Sequence, residues 1–449
     1  MERVKTDNPM ENANLFKLII KMSIPVMLSM LVQSMYNITD SFFVARYSEK
    51  ALRATSLSYP VQIVLVAFGV GTGIGVNSLI SRYQGEGKYQ EANQVALHGL
   101  ILSILSWLIF LVFRFMFVDK FIGFFTTDET VRAMGHEYLG LVSGFAIFSL
   151  IQINIEKTIQ GTGNTVLPMI VQMVGAATNI ILDPIMIFGY FGFPRMGIRG
   201  AAIATLIGQG LAALTGLIFL FKKTNLDLKL ASFKFSGTTV KKIYEVGVPT
   251  ILMQAIPAFI TTILNLIVIR YSELAVSVLG IYLKLESFVM MPLFGLGQGI
   301  LPIMGYNYGA RNKERVKGTL VYARKIGIFL MLIGVFLFQV FPRQLMGIFA
   351  ESQEMVEMGV YTLRIISIGY IFASISIIAT TFFQALGHGK LSLIITLLRQ
   401  FIIVVPLAYG LSFVGLNYVW ISYPIAEIST VVLALIMEKK VMEVTVDSI

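Results

Sequence analysis

Long apolar stretches, separated by short clusters of charged residues and glycines, run along the whole 449-residue chain. A stretch of about 20 apolar residues is long enough to cross the hydrocarbon layer of a bilayer, about 30 Å thick, as an α-helix. The pattern therefore predicts an all-α membrane protein with twelve spanning helices, six in each half. The predicted spans lie near residues 15–38, 55–79, 93–118, 132–159, 166–190, 200–221, 244–269, 275–304, 320–341, 356–384, 391–412 and 416–437.

The two halves of the chain repeat each other when one is shifted by 224 residues. The shift aligns Pro25 with Pro249, RYSE at 46–49 with 270–273, three alternate glycines at 71–75 with those at 295–299, and Gln160 with Gln384. Such a duplication in an apolar chain is typical of secondary transporters, in which the substrate site lies between two pseudo-symmetric halves. Because six spans per half is an even number, both halves enter the membrane from the same side. The predicted repeat is parallel, with a pseudo-two-fold axis along the membrane normal.

A polar interruption in mid-chain separates the two predicted six-helix lobes. We predict an N-terminal lobe at 1–222, a linker at 223–241, a C-terminal lobe at 242–438 and a tail at 439–449. Lys and Arg residues concentrate in the loops on the linker's side of the membrane, and cytoplasmic loops carry an excess of these residues. The sequence therefore predicts a multi-pass protein of the cell membrane with a cytoplasmic linker and both termini in the cytoplasm.

Composition supports a membrane protein and argues against several other classes. Hydrophobic residues make up 56% of the chain and charged residues 13%, whereas about a quarter of the residues of a soluble domain are charged. The net charge of +10 follows the positive loops, so no nucleic-acid partner is predicted. The absence of cysteine and the scattered positions of the three histidines predict no metal site. The alternate glycines lie inside apolar spans, which predicts close helix packing or local bending rather than a nucleotide loop.

Two aspartates lie inside predicted spans of the first half. A carboxylate within a span costs roughly 2.5–3.5 kcal/mol on insertion scales, so it normally faces the interior of the helix bundle. Tyr36 shares a helix face with Asp40, and Asn179 shares one with Asp183, because residues four apart stack on one face. Pro184 follows Asp183 directly and weakens the local backbone hydrogen bonding. Asn, Asp and free carbonyl oxygens there can coordinate a hard cation such as Na⁺ or relay a proton.

Each aspartate also has a structural alternative. Asp40 would pair with Arg46 or lie at the membrane interface, and Asp183 would cap a helix at a break. Asn154 in the fourth span is a further candidate for the ion site. Pro25 and Pro184 are predicted hinges, since proline loosens a helix at its own position.

The second half lacks acids at the corresponding positions and carries others instead. Leu264 aligns with Asp40 under the shift, and the aligned prolines place Val405 opposite Asp183. Glu286 in the eighth span is the acid that we expect to reach a substrate cavity. Its alternative is a structural ion pair with Lys284, Arg364 or Arg399. The predicted cavity residues are Tyr36, Glu286, Met290 and Met291, since aromatic faces and acids compensate a cation's lost hydration and methionine adapts to varied ligands.

Several segments resemble the signature segments of the MATE (multidrug and toxic compound extrusion) transporters, in order and at family spacing. They are SIPV at 23–26, YNITD at 36–40, SRYQGEGK at 81–88, QGTGNT at 160–165, LDPIMIFG at 182–189 and GYNYGAR at 305–311. Glu156, Lys157 and Gln160, together with YNYGA at 306–310, are most similar to the MepA-like bacterial branch.

The resemblance implies a cavity between two six-helix lobes that exchanges access between leaflets. It also implies export of bulky, often cationic compounds driven by a sodium or proton gradient, and an acidic residue at the position of Asp40 that binds the coupling ion. Family members with a cation site in the second lobe carry acids in spans 7 and 10. The seventh span here has no acid beyond Glu245 at its mouth, and the tenth has none beyond Glu357 at its start. A second-lobe sodium site is therefore not expected.

The favoured function is an antiporter that exports amphipathic, mostly cationic drugs or dyes in exchange for H⁺ or Na⁺. We expect a monomer in the lipid bilayer with no cofactor other than that ion. A flippase for lipid-linked precursors is the alternative, since Lys284, Arg364 and Arg399 would suit a phosphate-binding cavity. A membrane-embedded enzyme is not expected, because the chain shows no nucleophile–base pair, metal-ligand cluster or nucleotide-binding motif.

Overall fold

The computed structural model describes residues 8–350 and 352–448, which form helices joined by short turns and contain no strand. The α-helices are α1 Pro9–Asn12, α2 Leu15–Tyr47, α3 Glu49–Gly85, α4 Tyr89–Met116, α5 Val118–Phe125, α6 Glu129–Gly144, α7 Ile147–Gly161, α8 Val166–Phe188, α9 Ile198–Lys223, α10 Gly237–Val268, α11 Glu273–Gly309, α12 Lys313–Val340, α13 Pro342–Gly347, α14 Gln353–Ser367, α15 Tyr370–Ala385, α16 Gly389–Leu397, α17 Val404–Ser412, α18 Leu416–Val419 and α19 Ser422–Val441. A π-helical turn, Leu398–Ile403, joins α16 to α17. The ends of the predicted N-terminal lobe and of the predicted tail, residues 1–7 and 449, lie outside the described residues.

Ten helical segments of the described chain are each long and apolar enough to cross a membrane. Two further pairs, α6 with α7 and α14 with α15, meet the same criteria together but are bent by 45° and 50° at a short break. If each bent pair is one span, the total is twelve. The structure thus confirms the predicted all-α membrane fold.

The two bends lie at corresponding places of the repeat, within the fourth and tenth predicted spans. A break releases backbone carbonyl groups from the helix, and side chains of neighbouring helices satisfy them here. The indole Nε1 of Trp107 donates to the carbonyl O of Gly144 at 2.8 Å. The amide Nε2 of Gln339 donates to the carbonyl O of Arg364, also at 2.8 Å. The sequence pattern predicts each span as continuous, because apolar residues run through both breaks.

Helices α2, α3, α10 and α11 are longer than the predicted spans, and α5 and α13 are short helices that the pattern does not predict. The predicted spans end where charged residues begin. Lys, Arg and Glu are nevertheless good helix formers, so a helix continues through them until a turn residue stops it. At the start of α11, the Ser272 hydroxyl accepts a hydrogen bond from the N–H of Ala275 at 3.1 Å and caps the helix.

Contacts divide the chain into two compact units whose boundaries fall inside helices. The first-half unit is Leu28–Gln254, and the second-half unit joins Met1–Met27 to Ala255–Ile449. The first part of α2 therefore packs with helices of the second half, and the first part of α10 packs with helices of the first half. The lobe boundaries predicted from the polar linker miss this exchange of helix segments. The sequence of a continuous apolar helix does not change at the point where the helix begins to pack against other helices.

The alternate glycines allow these exchanged segments to pack closely. A Cβ atom on Gly71 of α3 would lie 2.7 Å from the carbonyl O of Gly247 in α10 and would also clash with Ile251. A Cβ atom on Gly295 of α11 would lie 2.7 Å from the Cγ of Met27 in α2. Met27 aligns with Ile251 under the repeat, so the two contacts correspond. The structure confirms the predicted close packing at both sets of glycines.

Candidate functional site

Asp40 and Asp183 lie together in the first-half unit, on α2 and α8. Their carboxyl groups are close enough to interact electrostatically. Asp183 is 0% exposed, and Asp40 is half-buried. Neither forms an ion pair with a described Lys, Arg or His, which includes Arg46, the alternative partner of Asp40. The two acids thus lie side by side without a cationic partner in the part of the chain that the structure describes.

Asn179 connects the acid pair to a third helix. Its amide Nδ2 donates one hydrogen bond to Oδ1 of Asp183 at 3.1 Å and another to Oγ1 of Thr205 on α9 at 3.2 Å. The first bond is the one that the spacing of four residues makes possible on a helix face. Thr205 belongs to the site in the structure but carries no signal in the sequence, since it lies in an ordinary stretch of small residues.

Three oxygen atoms of this site are buried and accept no hydrogen bond from an N–H or hydroxyl group of the described residues: Oδ1 of Asp40, Oδ2 of Asp183 and Oδ1 of Asn179. The carboxyl groups of Asp40 and Asp183 are within hydrogen-bonding distance of each other, which requires a proton between them. A buried polar atom without a partner is costly, so such a group of atoms calls for an explanation. Oxygen ligands of this kind suit a hard cation, and two adjacent carboxyl groups can also share a proton. The arrangement can therefore hold either a hard cation or a shared proton.

Two tyrosines border the acid pair. Tyr36, one helical turn before Asp40, lies beside both Asp40 and Thr205. Tyr138 of α6 also interacts with Asp40, and its hydroxyl accepts a hydrogen bond from Nε2 of Gln62 at 3.4 Å. Tyr138 and Gln62 are not identified by sequence reasoning, because neither residue carries a charge that would be conspicuous within a span.

Asn154, Pro25 and Pro184 are the remaining residues that the sequence assigns to the ion site or to hinges. Oδ1 of Asn154 accepts a hydrogen bond from Thr158 at 3.4 Å, and a Cβ atom on Gly99 would lie 2.9 Å from the same oxygen. No contact described for Asn154 joins it to Asp40 or Asp183. Pro25 lies inside α2 and Pro184 inside α8, and both helices continue through their proline.

The second-half unit contains Glu286 on α11 among tyrosines. Tyr282, Tyr370 and Tyr423 all lie beside this half-buried acid. The rings of Tyr282 and Tyr423 meet edge to face, with centroids 5.7 Å apart. Met290, one turn after Glu286 and on the same helix face, is buried. This cluster combines a carboxyl group with three tyrosine rings, of which Tyr282 and Tyr370 are buried and Tyr423 is half-buried.

Of the three basic residues considered as alternative partners of Glu286, which are Lys284, Arg364 and Arg399, one lies near the acids. Arg399 is carried by the π-helical turn, and its Nη1 lies 3.7 Å from Oε1 of Glu427. Lys284 is exposed, with its ammonium group 5.9 Å from the ring centroid of Phe349. Arg364 is exposed as well. The positive charge of Arg399 is therefore opposed by an acid, and the other two basic side chains lie outside the cluster.

Duplicated halves of apolar spans, each with acids and polar groups inside the membrane-crossing helices, define a multi-pass membrane protein of the secondary-transporter type. The sequence model of the MatE family matches residues 25–185 and again residues 249–410. The chain belongs to this family, the MATE transporters, which are not enzymes. That one model matches both halves is also the result that the 224-residue repeat predicts.

Relatives and solved structures agree with this assignment over nearly the whole chain. The chain is 28% identical to the multidrug export protein MepA of Staphylococcus aureus (strain MSSA476), over 93% of this chain and 92% of the relative. It is 26% identical to MepA of Staphylococcus haemolyticus (strain JCSC1435), with the same coverage. A solved outward-facing multidrug resistance MATE family transporter of the MOP superfamily matches with a TM-score of 0.92 and 25% identity, covering 98% of this chain and 99% of the other. The predicted likeness to the MepA branch is confirmed.

Proposed function

We propose that this protein is a secondary active exporter that moves amphipathic, mostly cationic small molecules out of the cell in exchange for H⁺ or Na⁺. Family membership supports export, as does the role of the staphylococcal relatives as multidrug export proteins. The single observation that carries the coupling mechanism is the acid pair Asp40–Asp183. It lies inside the helices without a described cationic partner.

The acid pair suits coupling because its two carboxyl groups repel each other when both are ionised. A proton or a sodium ion removes that repulsion and occupies the buried oxygens of Asp40, Asp183 and Asn179. An ion drives a conformational change only if it binds one state more tightly than the other. In this proposal the ion binds the outward-open state, the protein returns to its inward-open state, and the ion leaves on the inner side.

The Glu286 cluster suits a cationic substrate. Cations are attracted to aromatic faces, and an acid compensates the charge that loses its hydration on binding. Tyr423 is half-buried and supplies an aromatic face beside Glu286, and the buried ring of Tyr282 packs edge to face against it. Met291 is half-buried and offers flexible apolar surface, and Met290 is buried. We propose that these second-half residues contact the substrate, and that Tyr36 does so in the first half.

The same cluster argues against a flippase for lipid-linked precursors. Recognition of a pyrophosphate head group calls for several unpaired Arg or Lys side chains. Arg399 faces Glu427, and the side chains of Lys284 and Arg364 are exposed away from the acids and tyrosines. An acidic and aromatic cluster fits an organic cation better than an anion.

We propose that the linker and both termini are cytoplasmic. Lys222, Lys223, Lys241 and Lys242 lie next to the linker, and positive loops remain on the inner side. A single chain contains both halves and both clusters, so we propose that one monomer suffices for transport. No cofactor other than the coupling ion enters the mechanism.

Reconstitution in proteoliposomes tests the proposal. A fluorescent organic cation is loaded on one side, and a pH gradient or a sodium gradient is imposed separately on the wild-type protein. We expect one of the two gradients to drive dye movement above the level of protein-free vesicles. If neither gradient does so, and the protein instead moves a lipid-linked pyrophosphate between leaflets, the exporter proposal is wrong and the flippase is favoured.

A further inference from the structure

The linker between the two halves is held on the beginning of α4 by polar side chains. Oδ1 of Asn93 accepts a hydrogen bond from the backbone N–H of Asp227 at 3.0 Å. Gln94 uses both ends of its amide. Its Nε2 donates to the carbonyl O of Ser232 at 2.8 Å, and its Oε1 accepts from the backbone N–H of Lys234 at 3.0 Å. All these residues belong to the first-half unit, so the linker is attached there at several points of its backbone.

His98, one turn further along α4, also binds the linker. The hydrogen bonds of its imidazole ring require one particular protonation state. Its Nδ1 lies 2.7 Å from the backbone O of Gln94, and its Nε2 lies 2.9 Å from the backbone N of Ser236. A carbonyl oxygen only accepts hydrogen bonds, and a backbone N–H only donates them. Nδ1 must therefore carry the proton and Nε2 must be the free acceptor. Only the neutral imidazole with its proton on Nδ1 satisfies both neighbours.

The docked linker also buries the imidazole. His98 is 1% exposed, and the rings of two linker phenylalanines cover it, with centroids at 4.9 Å for Phe233 and 5.8 Å for Phe235. A charge formed on this ring is therefore shielded from water while the linker stays in place. Burial of an unpaired charge is costly, so the charged ring and the docked linker are incompatible.

The charged groups around His98 supply no counter-ion. The charged residues on the adjoining parts of the surrounding elements are Arg82 and Glu86 at the end of α3, Lys88 and Glu91 at the start of α4, Glu156 and Lys157 on α7, Lys222 and Lys223 on α9, Asp227, Lys229 and Lys234 on the linker, and Lys241, Lys242 and Glu245 on α10. No described carboxylate forms an ion pair with His98. The linker's own acid, Asp227, pairs with Lys229 at 3.0 Å. An imidazolium at this position would have no ion-pair partner among the described acids.

We propose that the linker is a pH-dependent clasp, docked on α4 while His98 is neutral and released when His98 is protonated. Protonation places an N–H on Nε2, where it faces the N–H of Ser236, so that a hydrogen bond becomes a contact between two donors. Histidine is the side chain that ordinarily changes charge between about pH 5 and 8. The linker leads directly into α10, so acidification on the linker's side of the membrane loosens the attachment of α10 to the first-half unit.

The repeat supplies an internal comparison for this switch. The shift of 224 residues places Tyr322 at the position of His98. Tyr322 packs edge to face against Phe16 at the start of α2, with ring centroids 5.9 Å apart. Tyrosine does not change charge near neutral pH. The corresponding attachment in the second-half unit therefore lacks the switch, and of these two attachments only the linker is expected to respond to acid.

A spin label on the linker tests the clasp in the full-length protein. The chain has no cysteine, so the single substitution A231C places a nitroxide at an exposed linker position without background labelling. We expect restricted motion at about pH 8, and a mobile component that becomes the main one at about pH 5.5. Adding H98Q supplies an amide oxygen that accepts from Ser236 but takes up no proton, so the label should remain restricted at both values. Adding H136Q, which replaces an exposed histidine outside the clasp, should leave the wild-type response.

Nitrogen NMR of the histidine rings provides a measurement that does not depend on the H98Q protein folding normally. The chain has three histidines, so the H136Q and H388Q variants assign the His98 signals by elimination. We expect the His98 proton on Nδ1 at about pH 8, and one midpoint for ring protonation and label release. A label that is equally mobile at both pH values, an H98Q protein that still responds to acid, or a His98 proton on Nε2 at about pH 8 overturns the proposal.

Discussion

Glu286 is the residue on which charge selectivity for the substrate is expected to depend. Because its carboxyl group lies beside Tyr282 and Tyr423, E286Q keeps the shape of the cluster and removes one negative charge. We expect export of a permanently charged dye to fall about tenfold or more, equivalent to roughly 1.4 kcal/mol of lost interaction, and export of a neutral dye to change little. Initial rates for the two dyes in the same vesicles measure the difference.

The matched control is K284Q, because Lys284 lies on the same helix but is exposed and lies outside the acid–tyrosine cluster. This variant should export both dyes at wild-type rates. Equal loss of both dyes in E286Q would assign Glu286 a structural role beside Arg399 instead.

Single residues differ in how well the sequence predicts their place. The bond between Asn179 and Asp183 follows from helix geometry, because residues four apart share a face. The sequence indicates only indirectly that Asp183 lies beside Asp40. Each carboxylate is costly inside a span, so each is expected to face the interior of the helix bundle. Thr205 joins the site through a contact between helices far apart in sequence. Nothing in the local sequence of Thr205 distinguishes it from other small polar residues.

At the scale of helices, the stability of the fold is expected to depend on the alternate glycines. An alanine at Gly71 or Gly295 places a Cβ atom within 2.7 Å of a neighbouring helix, and such overpacking typically costs about 1–3 kcal/mol. Each variant, G71A and G295A, should therefore unfold at a lower temperature than the wild-type protein. Thermal unfolding of the purified protein in one detergent measures the change.

The control for this prediction is G280A in α11. A Cβ atom at Gly280 meets nothing within 4 Å, and alanine in a helix is favoured over glycine by roughly 0.5–1 kcal/mol. G280A should be as stable as the wild-type protein or slightly more stable. Unfolding temperatures that do not separate G71A and G295A from G280A would contradict the close packing described for these helices.

Hydrophobic patterning predicts where helices lie better than how they bend or which partners they choose. The predicted spans at 132–159 and 356–384 are present, but each bends where carbonyl groups bond to Trp107 or Gln339. A hydrogen bond between helices that are distant in sequence produces no periodic pattern of residues from which it could be predicted. Similarly, α2 and α10 change contact units partway along, because packing rather than polarity sets that boundary.

For the whole molecule, the repeat and the positive loops predict the topology. The chain has no cysteine, so single cysteines report their side of the membrane without background. F191C lies between α8 and α9, where Phe191 is 88% exposed, and N225C lies in the linker at the other end of α9. An impermeant thiol reagent added to intact cells should label F191C only. N225C should be labelled after the membrane is permeabilised. Labelling of N225C in intact cells would reverse the proposed orientation.

The most direct test of the central claim is gradient-driven dye export by D40N and D183N in proteoliposomes, under whichever ion gradient drives the wild-type protein. Each substitution keeps the side-chain shape and removes one of the two carboxylates that lie side by side. D119N is the control, because Asp119 forms an exposed ion pair with Arg132 at 2.7 Å, outside the acid pair. We predict that D40N and D183N fold and bind dye but export at the level of empty vesicles, while D119N exports normally. Wild-type export rates in both D40N and D183N would contradict coupling through this acid pair.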